Sequence, residues 1–267
     1  MHSLESRKVL ITGGSGFLGS HIAMQVAAHG GLPITVDIAP FSSDISTTIE
    51  NSFGINVISC NTDITVADQV QSLFLRLSED GLLPDSIINN AAINPSIDAT
   101  QGGRFESYPI ESWNQEIAVG LTGAFNVTQA FLRHTLSNST KGNVVNVSSD
   151  LGLIAPDHSI YNDPDSPPHQ FTNFKPVTYS VVKSGLIGLT KYTATYAPHL
   201  LRCNAICPAG IFNNHPEEFV ARLTRLIPLG RMASLDDVSS LIIFLLSDSS
   251  SYINGSTLSV DGGRTCW

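Results

Sequence analysis

The sequence predicts an α/β fold: a single-domain Rossmann fold over residues 1–267, with a doubly wound parallel sheet of about seven strands and helices on both faces. Three observations predict it. Short Val/Ile-rich runs alternate along the chain with longer segments of helical period, the pattern of repeated βαβ units. The strand runs are apolar nearly throughout rather than every second residue, as suits a sheet covered on both sides. A glycine-rich turn, Gly13–Gly19, joins the first strand pattern to the first helix pattern.

The elements follow in order. Strands are predicted at Lys8–Thr12, Pro33–Asp37, Ile55–Cys60, Ser86–Asn90, Asn143–Ser148, Leu201–Cys207 and Thr257–Val260. Helical spacing of apolar residues falls at Phe17–Ala28, Val66–Glu79, Ile110–Leu136, Val177–Tyr196 and Leu235–Leu246,. No linker or internal repeat divides the chain. One stretch, Ile154–Pro176, breaks the rhythm with five prolines at 156, 164, 167, 168 and 176. It cannot be a regular helix or a central strand, and long irregular segments in compact domains often serve as lids or binding loops. The plainer alternative is a passive surface insertion.

Composition narrows the function. Of 267 residues 42% are apolar and 14% charged, enough for a sizeable core,. Fourteen Lys and Arg against 23 Asp and Glu give a formal charge of −9 with no basic cluster, which argues against nucleic acid as a partner. The apolar run Leu241–Leu246 is far too short to cross a bilayer,. The first residues lack the apolar stretch of a secretory signal. Cys60, Cys203, Cys207 and Cys266 match neither a zinc motif nor a disulfide framework,. A cytoplasmic protein that acts on a small molecule is the expectation. The eight histidines lack metal-ligand spacing, so no metal site is expected.

Gly14, Gly16 and Gly19 fit G-x-G-x-x-G between a strand and a helix. Such a turn lets backbone N–H groups of Gly13, Ser15, Gly16, Phe17 and Leu18 approach a pyrophosphate at a positive helix end. Asp37 ends the second strand, 18 positions after Gly19. A carboxylate there can bind the ribose hydroxyls of NAD and would repel the extra phosphate of NADP. No Lys or Arg lies between Gly13 and Gly19 to attract that phosphate. NAD is therefore the expected cofactor, with NADP second.

Further motifs line up in chain order. Asp63-Ile64-Thr65 follows the third strand, and Asn89-Asn90-Ala91-Ala92 ends the fourth. Asn146-Val147-Ser148-Ser149 ends the fifth, Tyr179-Ser180-Val181-Val182-Lys183 opens a helix, and Pro208-Ala209-Gly210-Ile211 follows the sixth strand. The ordered set, with Asp261-Gly262-Gly263 near the end, resembles the short-chain dehydrogenase/reductase family over essentially the whole chain. That resemblance implies a hydride transfer between nicotinamide and a secondary alcohol or ketone. It implies catalytic roles for Ser149, Tyr179 and Lys183, and cofactor contacts at Asp63, Ile64, Asn90, Ala91, Ala92, Lys183, Pro208 and Ile211. It also implies a homodimer or homotetramer. Ser149 rather than Ser148 is implied because the family places the reactive serine second in such pairs.

The sequence departs from the family at Gly120, in Gly120-Leu121-Thr122-Gly123, where most members carry an Asn that completes a catalytic tetrad. The expectation is that Gly120 leaves open space for a water, so that restoring Asn changes turnover only modestly. Ser149-Asp150-Leu151-Gly152, Lys175–Tyr179, Ile227–Met232 and the ending Gly262–Trp267 resemble, more narrowly, a bacterial subgroup linked to nonulosonic acid sugars of flagellin and surface polysaccharide.

The chemistry is consistent with the residue types. Tyr179 and Lys183 stand four apart and share a helix face. A free Tyr, with a pKa near ~10, is a poor base at neutral pH, and a nearby ammonium favours its phenolate. Ser149 can donate to a substrate oxygen as charge develops. The wall of the substrate site is expected from Asp150, Tyr161 and Phe212, with His158, His169, Phe171 and Phe174 as further stacking surfaces. Two rival readings stand beside this one. A 3-oxoacyl-carrier-protein reductase would favour NADPH and basic docking residues, against which Asp37 and the acidic balance argue. A catalytically silent NAD-binding scaffold would explain Gly120 and Ala92, but not an intact Ser149, Tyr179 and Lys183.

Overall fold

Seven parallel strands form one sheet in the order β3-β2-β1-β4-β5-β6-β7 in the computed structural model, which describes residues 2–94 and 103–267. The strands are β1 (Lys8–Thr12), β2 (Leu32–Asp37), β3 (Ile58–Asn61), β4 (Ser86–Asn89), β5 (Gly142–Val147), β6 (Leu201–Pro208) and β7 (Thr257–Val260). The helices are α1 (Phe17–Ala28), α2 (Ser43–Phe53), α3 (Ala67–Glu79), α4 (Ile110–Ile117), α5 (Ala124–Asn138), α6 (Val177–Tyr196), α7 (Glu217–Thr224) and α8 (Leu235–Leu246).

The strand pattern places the core. Along β1, Leu10 packs to one side with Phe74 of α3 and Val127 and Phe131 of α5. Val9 and Ile11 pack to the other with Ile22 and Val26 of α1 and Ile242 and Leu245 of α8. Each buried Leu, Ile or Phe side chain removed from water contributes about 1.5–3 kcal/mol, and the two layers clamp the sheet from both faces.

Several boundaries differ from the sequence expectation for physical reasons. β3 starts at Ile58 rather than Ile55 because, as the edge strand, it pairs only from Ile34↔Ile58 to Asp37↔Asn61. β4 ends at Asn89 because the Asn90 N–H leaves the ladder and donates to Thr12 Oγ1 at 3.0 Å. Helix α2 is absent from the sequence reading. Its residues are mostly polar and only Ile49 is buried, although Ser42 caps its start and left-handed Gly54 ends it. Helix α7, eight residues long, is likewise unforeseen. The expected helix Ile110–Leu136 is interrupted, since α4 passes into α5 through a π-helical turn at Ala118–Gly123. Such turns recur at functional sites.

From β1 the chain winds outward to β3, then returns to place β4 on the other side of β1. A crevice opens at such a switch point beyond the carboxyl ends of the strands, and the motif residues cluster there.

Candidate active site

Two adjoining cavities occupy this crevice. The first, about 620 Å³, is lined by Gly13, Gly16, Phe17, Leu18, Asp37, Asp63, Ile64, Asn90, Ala91 and Ala92 of the expected cofactor residues. Ile38, Thr62, Gln115 and Val119 also line it; no motif marked them in the sequence. Gly19 packs α1 against the turn so closely that a Cβ would lie 2.0 Å from the Gly13 carbonyl oxygen. No side chain caps the N-terminus of α1 and no acidic residue stands in its first turn, so the positive helix end is open to an anion. Asp37 holds the turn from the side: its Oδ2 accepts from the Ser15 N–H at 3.0 Å and its Oδ1 from the Ala39 N–H at 3.1 Å. The Ser15 hydroxyl donates to the Ala39 carbonyl at 3.0 Å.

Asn90 ties the turn to β4. Its Nδ2 donates to the Thr12 and Gly13 carbonyls at 3.0 and 3.2 Å. Asp63 Oδ1 accepts from the Thr65 N–H and hydroxyl at 2.9 and 2.7 Å, which fixes the turn before α3. The residues present fit a dinucleotide: an open helix end for its phosphates, a strand-end carboxylate for a ribose and, among the described residues, no Lys or Arg along the cavity wall.

The second cavity, about 290 Å³, contains Ser149, Asp150, Tyr161, Tyr179, Lys183, Pro208 and Ile211. It shares Leu18, Asn90 and Asn94 with the first. The structure thus brings together the three residues expected to be catalytic, Ser149 from just past the end of β5 and Tyr179 and Lys183 from α6. Lys183 is buried. Its Nζ donates to the Val147 carbonyl at 2.8 Å and lies 5.6 Å from the centroid of the Tyr179 ring. Burial, with the charge of Lys175 next, lowers its pKa to about 8. Burial raises the Tyr179 phenol above its ordinary value, while the Ser149 hydroxyl opposes that rise.

The two serines separate by their bonds. The Ser148 hydroxyl is spent on the Lys183 carbonyl at 2.7 Å, anchoring β5 to α6. The Ser149 hydroxyl donates instead to Asp150 Oδ1 at 2.7 Å, a neighbour that it can exchange for a ligand. Burial raises the Asp150 carboxyl above the usual range.

The proline-rich segment forms part of the wall. Asn162 stitches its two arms: Nδ2 donates to the His158 and Asn173 carbonyls at 2.8 and 2.7 Å, and Oδ1 accepts from the Thr172 and Asn173 N–H groups at 2.9 and 3.0 Å. Ile160 is buried against Leu223, Ile227 and Met232, with Tyr161 and Phe219 alongside. Tyr161 lines the cavity, but three other expectations need correction. Phe212 does not line it; the ring is 49% exposed, and His215 and Phe219 line the cavity in its place. His158 and Phe174 pack on each other at 5.1 Å, because the His158 Nδ1 is held by the Lys175 N–H at 3.2 Å. His169 and Phe171 are not among the lining residues. The residues the sequence missed are Lys175, Asp157 and Arg264; two of them stand in stretches that carry the narrower resemblance, but the sequence assigns no role to any of the three.

Gly120 leaves room for a water, as expected, but not for a side chain. A Cβ there would lie 2.6 Å from Val182 Cγ1, so Val182, next to Lys183, fills the position a longer side chain would take. A cavity of about 10 Å³ remains between Glu116, Gly120, Thr178, Tyr179, Val182 and Lys183, room for about one water. Glu116 is buried; its carboxylate accepts from Tyr108 Oη at 2.6 Å and from the Thr178 hydroxyl. Gly120→Asn is therefore expected to destabilise the fold by about 1–3 kcal/mol through overpacking. Val182→Ala in the same chain should recover most of that loss. Urea unfolding of the single and double variants measures both, and a Gly120→Asn protein as stable as wild type would contradict the fit.

A parallel sheet of this order, with its cleft at the switch point and a Tyr-Lys helix face beside it, defines a nucleotide-dependent oxidoreductase architecture. A family model described as short chain dehydrogenase matches residues 7–161, and one described as enoyl-(acyl carrier protein) reductase matches residues 169–265. The chain belongs to the short-chain dehydrogenase/reductase family and is an oxidoreductase acting on CH–OH groups. It is 31% identical to a 3-oxoacyl-(acyl-carrier-protein) reductase of Thermotoga maritima, covering 97% of this chain and 98% of that one. Among solved structures, a short chain dehydrogenase of Leptospira borgpetersenii with bound NAD⁺ is similar at a TM-score of 0.85 and 31% identity, covering 99% of this chain and 94% of that one. A structure from Agrobacterium tumefaciens with bound NADP is similar at 0.82 and 27%, covering 99% and 98%. Among the described residues no helix is long and apolar enough to cross a membrane, and no group of three or more His, Cys, Asp or Glu is placed to hold a metal ion.

Proposed function

We propose that the protein transfers a hydride between NAD and a secondary alcohol or ketone, with Tyr179 exchanging the proton at the substrate oxygen. The observation that carries this reading is the meeting of Ser149, Tyr179 and Lys183 in one cavity that adjoins the dinucleotide-shaped cleft. When bound, the nicotinamide would accept or supply the hydride. Tyr179 takes a proton from the alcohol, or returns one to the carbonyl. The Lys183 ammonium favours the phenolate, and Ser149 turns from Asp150 to donate to the substrate oxygen as charge builds on it. Pro208 and Ile211 would bound the nicotinamide side, and Asp63 and Ile64 the adenine side.

Asp37 supports NAD over NADP, because its carboxylate would face a 2′-phosphate with like charge. Asp37→Ala is expected to shift the NAD-to-NADP preference towards NADP by about tenfold or more, the scale of one lost like-charge contact. Dissociation constants of both dinucleotides, for wild type and variant, measure it. Wild-type protein that binds NADP as tightly as NAD would overturn this reading.

The second cavity carries the charged side chains Asp150, Asp157, Lys175, Lys183 and Arg264 and is walled by the proline-rich segment, which supports a bulky polar substrate. The narrower motif resemblance points to a nucleotide-activated amino sugar of surface-glycan synthesis. The likeness to a 3-oxoacyl-(acyl-carrier-protein) reductase supports a second reading, a 3-oxoacyl thioester. Rates with both substrate classes, read by NADH absorbance, separate the two, and turnover of the thioester alone would overturn the sugar reading.

Assembly as a homodimer or homotetramer fits the same reading. Phe125 and Leu136 of α5 and Val181, Tyr192 and Tyr196 of α6 are exposed apolar residues that a symmetric partner would cover. A monomer by light scattering at micromolar concentration would refute it.

A further inference from the structure

The second cavity holds more positive charge than hydride transfer uses. Lys183 has its role beside Tyr179; Lys175 and Arg264 line the same cavity and have none. Arg264 follows the glycine pair after β7. It is only 9% exposed, and its backbone N–H donates to the Asp261 carbonyl at 3.1 Å. Asp261 does not neutralise the guanidinium by contact: its carboxylate accepts from the Gly263 and Thr265 N–H groups and the Thr265 hydroxyl. Among the described residues, no side-chain hydrogen bond or salt bridge at Arg264 is found. Its nitrogens are not among the fully buried, unpartnered side-chain atoms, so the guanidinium reaches the cavity and presents up to five donors in a fixed fork there. Its opening onto a cavity indicates a partner that arrives from solution.

Lys175 supplies a second charge from the end of the proline-rich segment. Its Nζ lies 3.9 Å from the centroid of the Tyr179 ring and donates to Asn94 Oδ1 at 2.8 Å. An ammonium has three donors, and Asn94 is its one side-chain hydrogen-bond partner among the described residues; the carboxylates of Asp150 and Glu116 act on it through space. The acids on the same wall make no hydrogen bond or salt bridge to either cation, although Asp150 acts on both through space. Asp157 Oδ1 accepts from the Ser159 N–H at 2.9 Å and the Ser159 hydroxyl at 2.6 Å. Asp150 Oδ1 accepts from Ser149 and from the Leu151 N–H at 2.8 Å. In a chain with formal charge −9, this is a local excess of cations, and it is set beside the reacting centre.

We propose that the substrate is an organic anion, and that Arg264 and Lys175 form the wall that receives its carboxylate or phosphate beside Tyr179. This rests on the reading of the second cavity as the substrate site. The planar fork of Arg264 matches either anion with paired hydrogen bonds, and Lys175 adds charge on the Tyr179 side. The anionic group would hold the remote end of the molecule while the alcohol carbon lies against Ser149 and Tyr179. Recognition of this kind uses binding remote from the reacting carbon to position it.

The test uses the full-length protein saturated with NAD and three six-carbon polyols: neutral D-glucitol, D-gluconate with a carboxylate, and D-glucitol 6-phosphate. UDP-N-acetylglucosamine adds a diphosphate. Calorimetric titration is expected to show at least one charged probe binding about tenfold or more tighter than D-glucitol. Which of the charged probes gains the advantage separates carboxylate from phosphate. Arg264→Gln and Lys175→Met should each remove most of that advantage, Arg264→Lys should retain part of it, and NAD affinity should be unchanged. Equal binding of charged and neutral probes, including no binding by any, overturns the proposal. So does an Arg264→Gln protein that loses NAD affinity but keeps the preference for anions. NADH formation is read separately. Charged probes that bind through Arg264 without turnover leave the anion site standing and count against the hydride-transfer reading. Turnover confined to neutral alcohols leaves that reading standing and overturns the anion site.

Discussion

Tyr179→Phe is expected to lower kcat by about 10²–10⁴-fold, the range contributed by a positioned proton donor or acceptor. The NAD dissociation constant should stay near the wild-type value. The loss should be chemical rather than structural, for two reasons. Phe keeps the ring volume at this point of α6, and it keeps the face on which the Lys175 ammonium lies at 3.9 Å,. Only the hydroxyl that faces the cavity is removed. Because the interaction acts in the transition state, kcat and kcat/KM should fall together. Steady-state rates in both directions, with a dinucleotide titration on the same preparation, check this. A variant that turns over as fast as wild type would exclude Tyr179 from proton transfer.

The second large effect is expected at the proline-rich wall. Replacing residues 156–172 with a short Gly/Ser bridge keeps Lys175 but removes Ile160, Tyr161 and the Asn162 stitch. KM for the substrate should rise by about tenfold or more, as the pocket loses a wall that was already ordered before binding. Prolines limit the freedom of this segment in the unbound state, and the Asn162 amide locks its arms together through four hydrogen bonds. The dinucleotide cleft lies on other elements, so NAD affinity should be nearly unchanged. Stability should fall too, because Leu223, Ile227 and Met232 lose their cover. Asn162→Ala is the gentler companion: it should raise KM less and leave that cluster in place. An unchanged KM in the bridged protein would reduce the segment to surface decoration.

Much of the fold could be read from the chain because two local signals agree. The Val/Ile runs mark buried parallel strands, and each stands before a turn whose residues serve the cleft. Thr12, Asn89, Val147 and Pro208 all end strands at the same edge of the sheet, so motifs far apart in sequence meet by topology. Helix α2 escaped because its surface is polar and one buried Ile49 sets no period. Helix α7 escaped because eight residues carry too little pattern, and its apolar residues face the proline-rich segment rather than the main core.

At the site, legibility failed where the cause was pairwise. Gly120 read as open space; water still fits beside it, but Val182, 62 residues later, takes the place of a side chain. Neither residue signals the other without coordinates. The aromatic wall was overcounted for a related reason: composition showed the rings of His158, Phe174 and Phe212 but not which way they face. Arg264 and Lys175 stand in motif stretches that do not themselves bring the two together. Their meaning comes from a shared cavity whose acids make no hydrogen bond or salt bridge to either.

The central claim is direct hydride transfer governed by Tyr179. Its most direct measurement uses secondary alcohols carrying deuterium on the carbinol carbon, drawn from the charged polyols, nucleotide-activated amino sugars and 3-hydroxyacyl thioesters. Each is incubated with NAD and the wild-type or Tyr179→Phe protein, and the reduced dinucleotide is weighed by mass spectrometry. Deuterium should appear in the dinucleotide for at least one alcohol with wild type and be nearly absent with Tyr179→Phe. Wild-type protein that binds NAD yet transfers no deuterium from any of them, or a Tyr179→Phe protein that transfers it equally well, would contradict the account.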